Sequence, residues 1–139
     1  MKPLARLAGM AVALLLVAPG GTPADTEQEA PAWGAFHIDD VRAERTGHGR
    51  PWQEFLRVPD LFSGLYEIPA GGEDAQRPHD ADEVYYVVAG RATLTVGTER
   101  IPVRPGAIVY VAKNEDHRFI DITEDLSVLV FFATPCGGA

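Results

Sequence analysis

Residues 71–90 read GGEDAQRPHDADEVYYVVAG, a polar, turn-forming half followed by a run of β-branched and aromatic residues. Val84-Tyr85-Tyr86-Val87-Val88 has the composition of a strand, and Ala89-Gly90 closes it with turn chemistry. The same texture extends on both sides. Short apolar runs bounded by turn residues predict strands at 55–58, 61–68, 83–88, 91–96, 101–103, 107–111, 117–122 and 126–133. Ala89-Gly90 and Gly97-Thr98 read as hairpin turns. Pro105-Gly106 reads as a further turn. Eight short strands at regular spacing predict an all-β sandwich or barrel, and a closed barrel removes exposed edges. No internal repeat and no second domain interrupt the pattern.

Toward the N-terminus the texture changes. Asp39 or Asp40 at one end and Gly47 at the other frame a short helix over 38–46. Residues 22–32 are small, polar and acidic, with Pro23 and Pro31, and read as part of a linker over 25–52. Before it, basic Met1–Arg6 precedes twelve uninterrupted apolar or small residues, Leu7 to Ala18. A bilayer span needs about 20 such residues. The run instead has the length of the apolar region of a secretory leader. Small residues at Thr22 and Ala24 place the cleavage after position 24. The expected organisation is a signal peptide over 1–24, the linker, and a β-barrel domain over 53–139. The expected location is the periplasm or the exterior, with no membrane anchor after cleavage.

The 139-residue chain carries a net charge of −8. Lys2 and Arg6 leave with the leader, which moves that charge to −10. An acidic surface disfavours nucleic acid and anionic membranes as partners. Cys136 is the only cysteine, so the chain forms no internal disulfide and its stability rests on packing. No nucleophile elbow and no phosphate-cradling glycine loop occurs.

His79 and Glu83 lie four residues apart, and Glu83 opens an apolar strand, where an unpartnered carboxylate is costly. A metal ion is one suitable partner. His117 follows the Pro105-Gly106 turn and the strand after it. Two imidazoles and a carboxylate occupy one face of a metal and leave other positions open, which suits iron(II), manganese(II) or zinc(II). Alternation puts Glu83 on one face with Tyr85, and Asp82 on the other. The same rule puts Phe119 and Asp121 on the His117 face, making Asp121 a candidate acceptor behind the site. Tyr66, Tyr85 and Tyr110 read as wall or core. His37 and His48 read as surface residues.

Gly71, His79, Glu83 and Gly90, followed by Pro105, Gly106 and His117, resemble in order and spacing the two motifs of the cupins. The resemblance covers roughly residues 55–133. It implies an antiparallel double-stranded β-helix, or jelly-roll barrel, often homodimeric, with a metal inside one mouth. Its expected ligands are His79, Glu83 and His117. Two positions depart from the family pattern. Asp121 stands where the family has asparagine. Arg77 stands where the family has a metal-binding histidine, and a guanidinium cannot coordinate a cation. Either Arg77 orients an anionic substrate beside the metal, or it replaces the metal and pairs with Glu83. The expected function is an exported cupin-type protein that binds a divalent metal and acts on a small molecule, as an oxygenase or an isomerase. The alternatives are a metal-free binding module and a structural dimeric barrel. Arg77, Tyr85 and Asp121 are the candidates for contact with substrate or for positions behind the ligands.

Overall fold

A computed structural model of the chain describes residues 30–133. The leader and Cys136 lie outside the described residues. The elements are helix α1 (Ile38–His48) and strands β1 (Trp52–Val58), β2 (Leu61–Ile68), β3 (Asp82–Val96), β4 (Glu99–Val103), β5 (Ile108–Val111) and β6 (His117–Ala133). All pairings are antiparallel, in the order β1-β2-β6-β3-β4, with β5 also on β3. The all-β expectation is met.

Six strands form where eight were expected, because β3 and β6 each run through an expected break. The first half of β3 pairs with the second half of β6, from Glu83↔Phe132 to Ala89↔Ser127. Its second half pairs with the start of β6, ending at Val96↔His117. The two halves of each long strand therefore belong to two facing layers. The larger layer holds β1, β2, β5 and the paired halves 126–133 and 82–89. The smaller holds 117–124, 91–96 and β4.

Ala89-Gly90 is thus a bend within a strand, correcting the expected hairpin. Gly90 has φ 90°, and register shifts flank it at Val87/Ala89 and Ala89/Arg91. Glycine supplies positive φ equally to a hairpin turn and to a bulge, so local chemistry does not separate them. Gly97-Thr98 is a hairpin as expected, joining β3 to β4. The Pro105-Gly106 turn also forms, with Gly106 at φ 91° and Ala107 N–H donating to Arg104 O at 2.9 Å.

One apolar core fills the space between the layers, including Tyr85, Val87, Leu94, Phe119, Leu126 and Val128. Helix α1 packs outside, against β1 and β2. It runs two residues beyond the expected end. His37 caps its start by accepting from Asp39 N–H, and Gly49 at φ 70° ends it. Arg42 and Arg45 bracket Glu67 of β2 at 2.8 and 2.6 Å, pinning the helix to the sheet. Strand β1 opens at Trp52, three residues before the expected start, and Trp52 pairs with Tyr66.

Candidate functional site

Glu83 opens β3 and His117 opens β6, far apart along the paired strands. Thirteen extended residues, from Glu83 to Val96 opposite His117, would span about 43 Å. Yet His117 Nε2 stands 2.9 Å from Glu83 Oε1. The curl of β3 and β6 into a barrel closes that distance. Both side chains are about 1 % exposed.

His79 completes the group from the connection between β2 and β3. It is half-buried, its ring 5.6 Å from that of His117 and edge-on to Phe132 at 5.0 Å. Its carbonyl accepts from Asn114 N–H at 2.6 Å, which ties this connection to the turn before His117. One ligand atom from each of His79, Glu83 and His117 lies within 4.8 Å of the others. Donors on one face of an ion, bound at about 2.0–2.2 Å, lie about 3–3.6 Å apart, so a pair as far apart as 4.8 Å would close by about 1 Å or more on binding.

The polar atoms fit a cation. Neither carboxylate oxygen of Glu83 nor His117 Nε2 completes a hydrogen bond, although all three are buried. The 2.9 Å approach brings Nε2 and Oε1 close without the direction a hydrogen bond needs. A buried, unsatisfied carboxylate beside an unsatisfied imidazole costs several kcal/mol unless a partner sits between them (order of magnitude). His117 Nδ1 donates to Glu115 O at 2.7 Å, which leaves Nε2 of the neutral ring free to coordinate.

Burial works against charging His117. The Glu83 carboxylate, the Glu115 carbonyl and the charge on Asp74 outweigh it and raise its pKa above the ordinary histidine value. In metal-free protein, a raised folded pKa adds stability that is complete below about pH 6.5 and is lost as pH rises through the folded value. A bound metal requires neutral imidazole, so metal-loaded protein should gain stability over the same interval. Melting temperature against pH, with chelator and with metal, should give slopes of opposite sign; parallel curves would count against the trio as ligands.

The other sequence candidates separate. Tyr85 lies at the site, 6.0 Å from His117 ring to ring and edge-on to Phe119 at 5.3 Å. Asp82 faces outward, where its carboxylate accepts from Lys113 N–H at 2.9 Å, as alternation predicts. Arg77 is exposed and forms no ion pair or hydrogen bond among the described residues, so the alternative in which it pairs with Glu83 is not met. Asp121 does not back the site. It is exposed and pairs with Arg100 at 2.8 Å. Its φ of 49°, within an irregular stretch of β6, breaks the alternation, and Ile122 turns inward instead. Tyr110 is 61 % exposed on the outer face, which corrects its reading as wall or core. It sits on edge strand β5 opposite Val84.

Sequence reasoning missed a second polar group. Asp74 is buried and accepts four hydrogen bonds: from Tyr66 Oη at 2.7 Å, Gln76 N at 3.0 Å, Gln76 Nε2 at 2.7 Å and Phe119 N at 2.7 Å. Tyr85 Oη donates to Gln76 Oε1 at 3.1 Å. The group fixes the chain leading to His79 against β6. Burial, with the negative charge of Asp74, raises the Tyr66 pKa; burial, with Glu83 and Asp74, raises that of Tyr85. Both phenols stay neutral. The one available signal was strand alternation, which puts Phe62, Tyr66 and Ile68 on one face. Beside the trio opens a cleft of about 390 Å³, within the range of small-molecule sites. Trp52, Phe62, Tyr66 and Phe132 form its aromatic wall, and Gln76, His79 and Tyr85 its polar end.

The cupin domain pattern matches residues 64–132. An uncharacterized protein of Streptomyces coelicolor is 46% identical over 101 residues, 73% of this chain and 96% of that one. The chain belongs to the cupin family. A double-stranded β-helix protein of Klebsiella pneumoniae matches this cupin with a TM-score of 0.63 at 19% identity, covering 75% of this chain and 92% of that one. The DMSP lyase of Ruegeria pomeroyi matches at 0.53 and 23% identity, covering 59% of this cupin and 42% of the lyase. At these identities the structural likeness concerns the fold alone, and one fold hosts many activities. The jelly-roll barrel expected from the sequence is the fold observed.

Proposed function

We propose that this cupin binds one divalent metal through His79, Glu83 and His117 and acts on a small molecule held in the adjoining cleft. The observation that carries the reading is the buried Glu83–His117 pair, whose three inward polar atoms lack hydrogen bonds while His79 faces them. Iron(II), manganese(II) or zinc(II) suits this donor set. Such an ion would supply Lewis acidity and open positions toward the cleft.

The remaining work falls to the chain. The Glu115 carbonyl fixes the His117 tautomer. Asp74 holds the segment that carries Gln76 and His79. The aromatic wall excludes water, and Gln76 and Tyr85 orient a polar group of the bound molecule. Oxygenase and isomerase chemistry both suit the arrangement. Export, read from residues 1–24, and self-association belong to the same proposal. Tyr86, Ile108 and Tyr110, exposed on the outer face of the larger layer, supply apolar surface for a second copy to cover.

The test is the metal content of mature protein purified without a histidine tag, beside the His79→Ala/His117→Ala variant. About one equivalent in the native protein, lost in the variant, is the expected result. No metal in either, even after soaking and desalting, would leave an aromatic cleft without a metal and remove the metalloprotein reading.

A further inference from the structure

Resting on the proposed metal site, we infer that the cleft selects an uncharged molecule: an apolar body for the aromatic wall, with a hydroxyl or carbonyl directed at His79, Gln76 and Tyr85. The sequence suggested the opposite, an anion held by Arg77. The structure places Arg77 outside the cleft, and no lysine or arginine lines it. Arg57 comes near but is committed. Its guanidinium stacks over Phe62 at 4.5 Å and is held by Glu54 through two hydrogen bonds.

Charge balance leads to the same class. Two carboxylates sit beside the cleft, Glu83 and Asp74, both buried. Asp74 takes part in no ion pair among the described residues; four N–H and O–H groups satisfy it. With a divalent cation and neutral imidazoles the site sums to zero. An anionic substrate would add a charge that no cation in the wall offsets, at a desolvation cost. Without the metal the site keeps both carboxylates, and no lysine or arginine in the wall offsets an added anion.

A cation is disfavoured on different grounds. Recognition of a cation by aromatic residues uses ring faces. Phe62 has both faces engaged, one by Phe132 stacked at 4.4 Å and 9° and the other by Arg57. The polar end is matched to a neutral group. The Tyr66 and Tyr85 hydroxyl hydrogens are already donated to Asp74 and Gln76, which leaves their oxygens as acceptors. Gln76 Nε2 spends one of its two hydrogens on Asp74 and keeps the other. Two neutral acceptors and one amide donor suit a hydroxyl or a carbonyl.

The test uses three probes of similar shape and different charge: phenethyl alcohol, phenylacetate and phenethylammonium. The chain has two tryptophans, and Trp52 lines the cleft. Trp33 is 81 % exposed, so Trp33→Phe leaves Trp52 as sole reporter without touching the core. Fluorescence titration, with metal content measured in parallel, should show saturable binding of the alcohol about tenfold or more tighter than either ion, a gap of one decade in Kd. The preference over phenylacetate should hold in metal-loaded and chelator-treated protein; the preference over phenethylammonium should hold in the loaded protein, where the bound ion repels a second cation. Phenylacetate or phenethylammonium binding as tightly as the alcohol to the loaded protein would overturn the assignment, as would no saturable change with any probe. Failure to take up metal, with the alcohol still preferred, would remove the metal reading alone and leave the ligand class standing.

Discussion

Glu83→Gln should lower metal affinity by more than about a hundredfold, since losing even a group behind a ligand costs about 10–100-fold. The substitution keeps shape and volume and removes only the charge. In the native protein, metal at about a thousand times Kd should stabilise the fold by about 4 kcal/mol. At about 4–8 °C per kcal/mol for a domain of this size, the melting temperature should rise by about 15 °C or more. In Glu83→Gln the same concentration is at most about ten times Kd, so the stabilisation should fall to about 1.4 kcal/mol or less and the rise to about a third of its native size or less, about 6 °C where the native rise is about 15 °C. Asp82→Asn is the control, one residue away and of identical chemistry. Its carboxylate is exposed and accepts from Lys113 N–H, so metal affinity should stay within about twofold of native, with any stability loss within about 1 kcal/mol for one exposed hydrogen bond. Calorimetric titration of both variants decides the matter. Equal losses would mean that a diffuse acidic surface attracts the metal; no loss in either would mean that Glu83 is not a ligand.

This contrast between adjacent residues was legible in the sequence, because strand alternation is a local rule and β3 obeys it from Asp82 to Val88. Glu83 is buried and Asp82 exposed, as period two requires. The rule fails where one residue leaves the extended region. Asp121, two steps beyond Phe119, should have faced His117, but its left-handed backbone shifts the phase and hands the inward place to Ile122. Nothing in the sequence announces that shift, since aspartate tolerates such a backbone without demanding it. Asp74 was invisible for another reason. Its hydrogen bond to Phe119 N–H joins residues 45 apart, from a segment without periodicity. His79, Glu83 and His117, which the structure brings together, could be grouped from the sequence because two motifs fix their spacing. The groups that shape the cleft around them belong to no motif, and only the closed barrel brings them together.

Closure of that barrel depends on Gly90, and Gly90→Ala should be the most damaging single-atom addition in the described chain. A Cβ there would lie 2.3 Å from Asp125 O and 2.6 Å from Leu126 Cα. Both are backbone atoms, so no side-chain rotation relieves the overlap, and φ 90° adds strain of about 1–3 kcal/mol for any residue with a side chain. The expected loss is about 4 kcal/mol or more, a large part of the 5–15 kcal/mol typical of a domain. Gly106 separates the two causes. It has nearly the same φ, 91°, but nothing within 4 Å of its Cβ position, so Gly106→Ala should suffer the strain alone. Urea unfolding of both variants should place Gly90→Ala at least about 2 kcal/mol below Gly106→Ala, the part due to overlap that cannot relax. Equal losses would show that the strands can separate at the bend without penalty. The same bend carries Glu83 back toward His117 from the far end of β3. Any folded Gly90→Ala protein should therefore also bind metal more weakly than Gly106→Ala, since opening the bend moves one ligand away from another without altering either.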